Sequence, residues 1–182
     1  LTAEHPTLAA DQVSGLVSPG GLFPSLDDFT RNRAELDLVQ VRAEWTSQIE
    51  KFIAATGRRP DHLDSHHHAS FFTEGLFRTF LELARQYDCA IRCPLPALDG
   101  SGLPEELESA LAVYAPPLLG KYGPRRPDLF CAGFYDEGAT LSNLLSTLGR
   151  LADGTAELMC HPAHLDERLE TIRSWLRDPA YR

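Results

Sequence analysis
Four times after residue 60 a short apolar run stands before or after a stretch of helical period, and this alternation limits the folds open to the chain more than any other feature. The runs are "DHLD" at 61–64, "CAIRCP" at 89–94, "DLFCAGFYDE" at 128–137 and "AELMCHP" at 156–162. Their brevity and flanking turn residues suit strands. Between and after them apolar side chains return every three or four residues: Leu76, Phe77, Phe80, Leu81, Ala84 and Tyr87 over 74–88, then "TLSNLLSTLGRL", opened by Thr140 or Ser142, and "LDERLETIRSWLRD". An earlier helix over 35–56 carries Leu38, Val41, Trp45, Ile49 and Phe52 on one face, with Gly57 as its stop. The segment 99–127 is richer in Gly and Pro and reads as an excursion, with a helical piece from about Pro104 to Tyr114.

Strand followed by helix, repeated, implies right-handed crossovers and a parallel sheet. In such α/β folds the carboxyl ends of the strands face the ligand. Chemistry-bearing residues fall at those ends: Asp64 with the histidines behind it, then Arg92, then Tyr135 with Asp136 and Glu137, then His161. A full eight-stranded barrel takes about 250 residues, more than the 182 present. The first thirty, with "SPGGLFPSLDD", read as loop. The expectation is one domain over 1–182, a barrel either incomplete or missing part of its chain.

Composition narrows the partners. At 43% hydrophobic and 24% charged, the chain can bury a real core. A net charge of -9 and a pI near 5.2 argue against nucleic acid or an anionic membrane surface. No run of eighteen apolar residues occurs, and "LTAEHPTLAADQ" lacks the regions of a signal peptide. Cys89, Cys93, Cys131 and Cys160 form no C-x-x-C pair and read as small buried hydrophobes. The compartment they suggest is reducing and cytoplasmic.

The stretch "RRPDHLDSHHHASFF" at 58–72 holds three consecutive histidines two residues after Asp64. In an extended segment His66 and His68 would share a side and His67 would face away. The run is either a solvated loop or one part of a metal site, and two histidines alone do not complete such a site. His161, at a strand end before Pro162, is either a hydrogen-bonded turn histidine or a general acid. Arg92 either orients a carboxylate or substrate oxygen, or makes a structural ion pair.

Together, "LT" at the start, "RRPDHLDSHHH", "AIRCP" and "ELMCHPAHLDE" resemble the YdjC-like family of carbohydrate deacetylases, which includes the chitooligosaccharide (chitin disaccharide) deacetylases. The resemblance implies an irregular (β/α) barrel of the glycoside hydrolase/deacetylase type, lacking in this chain its N-terminal strands and C-terminal end. It also implies a divalent metal, Mg2+ or Zn2+, with His66 as one ligand. The family's other two ligands, an aspartate and a histidine, would lie upstream of Leu1. Ser70 stands where the family commonly has a further histidine, a change expected to affect the substrate cleft.

The implied reaction is removal of an acetyl group from N-acetylated amino sugars or chitooligosaccharides. His161 would protonate the departing amine, and Asp64 would orient a ring or hold a water. His68, Arg92 and Tyr135 would contact the acetylated amino sugar. Two alternatives stand beside this: another metal-dependent hydrolase, and a sugar-binding or scaffold protein of the same fold without catalysis. Unpaired strand edges make a homodimer a further expectation.

Overall fold
The protein was described as a computed structural model, which describes residues 1–162 apart from Ala3, together with His164 and Glu167. The helix expected over 165–178 lies, apart from Glu167, outside the described residues. The chain divides into two units, Leu1–Arg92 with Pro104–Arg126, and Cys93–Leu103 with Pro127–Arg182.

The first unit contains α1 (Leu26–Asn32), α2 (Leu38–Thr56), β1 (His62–Leu63), α3 (Glu74–Tyr87), β2 (Ala90–Ile91) and α4 (Glu105–Tyr122). Local chemistry sets the helix ends. Asp37 accepts from the Val39 and Gln40 amides to open α2, and Gly57 closes it at φ 70°; a residue without Cβ enters that left-handed region at no steric cost. Thr73 caps α3 through the Leu76 amide at 3.2 Å. Strands β1 and β2 pair in parallel, His62 opposite Ala90 and Leu63 opposite Ile91.

Helix α3 packs against both α2 and α4. Its Leu76 and Phe77 are fully buried, and Leu81, Leu83 and Ala84 are nearly so. Phe80 meets Trp45 of α2 edge-on at 6.2 Å, and Phe77 lies 6.3 Å from the Tyr114 ring of α4. Such tilted aromatic pairs add to the burial of large apolar area. The N-terminal segment is tied to α2 by a buried carboxylate: Glu44 accepts from the Thr7 amide at 2.8 Å, the Leu8 amide at 3.0 Å and Gln48 at 2.7 Å. Buried charge persists only when hydrogen-bonded in this way.

Two expectations need correction. The first thirty residues are not all loop, because α1 begins at Leu26; Ser25 caps it through the Asp28 amide, and Asp27 and Asp28 occupy the positive end of the helix. Helix α4 runs well past Tyr114, through Pro116 and Pro117 to Tyr122. A proline removes one amide and crowds the preceding turn. Burial of Leu107, Leu111, Ala115 and Leu118 along one face outweighs that loss, and the helix stops only at Gly123, φ 55°.

The second unit holds β3 (Leu129–Cys131), α5 (Leu141–Gly149) and β4 (Ala156–Leu158). β3 and β4 pair in parallel, Leu129 opposite Ala156. On its other side β3 meets residues 96–98: the Leu98 amide donates to the Phe130 carbonyl and the Phe130 amide to the Pro96 carbonyl, each at 2.9 Å. Thr140, not Ser142, caps α5 through the Asn143 amide. Arg150 forks onto Asp99 at 2.8 and 2.6 Å. The architecture is mixed α/β with short parallel strands, and among the described residues two sheets of two strands form without closing into a barrel.

Phe77→Ala is expected to destabilise the protein by roughly 3–5 kcal/mol, read as a lower urea midpoint at unchanged slope, whereas Val113→Ser on the exposed face of α4 should stay within about 0.5 kcal/mol. A second expectation concerns pH. Hydrogen bonds from Arg150 hold the Asp99 carboxyl below its usual range. A depressed carboxyl adds stability above its unfolded value, near 3.9, and that stability is lost as pH falls through the folded value. Asp99→Asn should therefore flatten the acid limb of the unfolding curve below about pH 4; an unchanged limb would mean the pair adds nothing.

Candidate active site
β1 ends at Leu63, and the chain then folds back on itself. Residues His66–Phe71 form a tight 3-10 turn in which His67 (φ 54°, ψ 24°) and His68 (φ 56°, ψ 23°) adopt left-handed backbone. The His68 amide donates to the Ser65 carbonyl at 2.9 Å, and the Ser70 amide to Ser65 Oγ at 3.1 Å. Histidine enters the left-handed region more readily than most residues, and the buried Phe71 behind the turn holds it there. The expected extended geometry, with His66 and His68 on one side, is thereby overturned. A chain that reverses hand at two successive residues does not alternate its side chains.

His66 and His67 are instead the neighbours. Their rings stack with centroids 3.7 Å apart and planes 25° off parallel. Thr2 Oγ1 lies 3.1 Å from His66 Nδ1 and 3.0 Å from His67 Nδ1. Burial first, and the adjacent His66 second, hold the His67 imidazole below its ordinary value, which favours a neutral ring near neutral pH. His68 is buried, 6.1 Å from the Phe71 ring.

Asp64, at the end of β1, pairs with Arg92, which follows β2, at 2.6 Å. The same carboxylate accepts from the Ser65 amide at 2.7 Å. Parallel pairing of β1 with β2 brings these two side chains together. Beside them lies a cavity of about 110 Å³ whose lining includes Asp64, Ser65 and His66 together with Trp45, Leu63 and Phe80. Ser70 is not among the residues that line this cavity. It is fully buried and bonds Ser65 Oγ at 2.8 Å, so the substitution expected to alter the substrate cleft serves the turn instead.

The second unit joins two further candidates. The rings of Tyr135 and His161 stand 4.8 Å apart at 60°, and both residues are exposed. Asn143 steadies the loop after β3 by donating to the Gly133 and Gly138 carbonyls at 2.8 and 2.7 Å. A Cβ at Gly138 would sit 2.5 Å from the Gly133 carbonyl oxygen, so only glycine fits there. Cys89, Cys93 and Cys131 are buried as expected; Cys160 is exposed, because it lies beyond the last paired residue of β4.

Sequence reasoning missed Thr2 and gave His67 no part. The signal for Thr2 was not local, since the residue lies 64 positions from His66. For a divalent metal, His66 is suited as one ligand. A catalytic zinc wants about three, and among the described residues no group of three or more His, Cys, Asp or Glu side chains is placed to hold an ion. The described residues thus supply one candidate ligand, His66, and not the full set of a metal site.

The family model for YdjC-like protein matches residues 1–181. A carbohydrate deacetylase of Thermoanaerobacter pseudethanolicus is 33% identical over 175 residues, covering 96% of this chain and 61% of its own. A chitooligosaccharide deacetylase of Yersinia enterocolitica is 31% identical over 140 residues, covering 75% and 49%. A crystal structure from Enterococcus faecalis V583, named as a candidate cellobiose-phosphate cleavage protein, superposes with a TM-score of 0.71 at 30% identity, covering 92% of this chain and 58% of that one. The chain therefore spans less than two thirds of the length of these relatives. With the family model matched along almost its whole length, the chain belongs to the YdjC-like protein family.

Proposed function
We propose that the chain is the bearer of a carbohydrate deacetylase activity, hydrolysing the acetamide of N-acetylated amino sugars or chitooligosaccharides with the help of a divalent metal, Mg2+ or Zn2+, to which His66 contributes one ligand. The names of the relatives support it. The observation that carries it is the gathering of Asp64, Arg92 and His66 at the carboxyl ends of β1 and β2, beside a cavity of about 110 Å³. Engineered cavities of about 150 Å³ hold a benzene molecule. The space beside Asp64 is of a size to take a small group such as an acetyl. An irregular barrel belongs to the same proposal.

Amide hydrolysis needs a water held against the carbonyl carbon, charge stabilisation for the oxygen, and a proton for the amine that leaves. Asp64, fixed by Arg92, is the proposed holder of the water or of the imidazole beside it. Arg92, His68 and Tyr135 are assigned to positioning the sugar: Arg92 by its planar set of donors, Tyr135 by its exposed ring. His161 is the proposed proton donor. When bound, the metal would polarise the acetamide carbonyl and acidify a water.

The test is acetate release from N-acetylated chitooligosaccharides, measured for this chain and for one extended at its N-terminus to the length of the relatives, alongside bound metal. The extended protein is expected to release acetate, and His66→Ala to remove bound metal and lower kcat/KM by about 100-fold or more. His161→Ala should lower kcat by about 100-fold or more with metal content unchanged. Sugar binding by the extended protein without acetate release would replace the proposal with that of a sugar-binding protein.

A further inference from the structure
We propose that Thr2 is a positioning residue that sets His66 and His67 in opposite tautomers, so that one ring turns a bare nitrogen outward and its neighbour turns an N–H outward. Thr2 is 2% exposed. Its hydroxyl lies 3.1 Å from His66 Nδ1 and 3.0 Å from His67 Nδ1. A hydroxyl has one proton to give and two lone pairs to accept with, while a neutral imidazole has one N–H and one bare nitrogen.

Three proton arrangements are open to this trio. If both Nδ1 atoms carry hydrogen, the hydroxyl accepts twice and its own hydrogen is buried with no acceptor among the described contacts of Thr2. If neither does, the hydroxyl serves one ring and the other faces it lone pair to lone pair. Only the mixed arrangement satisfies every polar atom: one Nδ1–H donates to Oγ1, and Oγ1–H donates to the other Nδ1. Burial decides among them, because an unmet donor or acceptor costs most where water cannot replace the lost partner.

The consequence falls on the far nitrogens. The ring that donates to Thr2 keeps a bare Nε2, and the ring that accepts from Thr2 keeps Nε2–H. His66 and His67 are both exposed as residues, and their stacking at 3.7 Å sets these two edges side by side. When both rings are neutral the pair thus presents an acceptor beside a donor, and His67 joins His66 as part of the site. The inference rests on the geometry of the trio and holds whether or not the deacetylase proposal does.

Nitrogen-15 NMR of the histidine-labelled chain tests it, in chelator and about two pH units above the usual imidazole value near 6.5, with resonances assigned through His66→Gln and His67→Gln. The expected result is opposite patterns, protonated Nδ1 in one ring and protonated Nε2 in the other. Thr2→Val, close in shape but without the hydroxyl, should abolish the difference, and Thr2→Ser should restore it. The same tautomer in both rings of the parent chain would overturn the inference without recourse to any variant. A difference that survives in folded Thr2→Val would equally overturn it.

Discussion
Phe71 is the residue on which the first unit turns. It is fully buried and lies 5.5 Å from the ring of Phe77 and 5.8 Å, edge-on, from that of Phe80. Its carbonyl accepts the Tyr114 hydroxyl of α4. One aromatic side chain therefore fastens the end of the histidine turn to the two helices that make the core. Moving it would disturb close-packed neighbours on several sides at once, and interiors of this density do not deform gradually. The turn inherits that rigidity, which is why two successive histidines hold left-handed backbone.

The polar side of the turn follows from the apolar side. With Phe71 anchored, the chain from Leu63 must reverse within a few residues, and Ser65 closes the reversal through its carbonyl and its hydroxyl. The reversal brings His66 against His67. Thr2 then lies against both rings from a segment that Glu44 ties to α2 through Thr7 and Leu8. The ion pair of Asp64 with Arg92 has a different origin: the parallel register of β1 and β2 puts the residue after each strand beside its counterpart. A hydrophobic anchor and a strand register thus converge on one small cavity.

Much of the fold is legible in the sequence. The four strands lie inside the four apolar runs, and α2 and α3 begin and end near the residues that their periodicity and caps indicate. Helix α4 was less legible, because Pro116 and Pro117 argue locally for a stop, while the buried face through Leu118 extends the helix past them. Of the candidate residues, Asp64, Arg92 and His66 meet in one unit, and Tyr135 meets His161 in the other. Their positions at strand ends were readable. Their pairings were not, since a pairing depends on register.

The sequence by itself determined the alternation of strand and helix, the stop at Gly57, and which chemistry-bearing residues stand at strand ends. These are local matters, set by side-chain periodicity and by hydrogen bonds spanning two to four residues. Tertiary structure decided that His67 and not His68 lies beside His66, that Ser70 is buried, and that Thr2 meets two imidazoles across more than sixty residues. Those outcomes come from long-range burial, which holds two successive residues in a backbone conformation that histidine's local preference permits but does not by itself select.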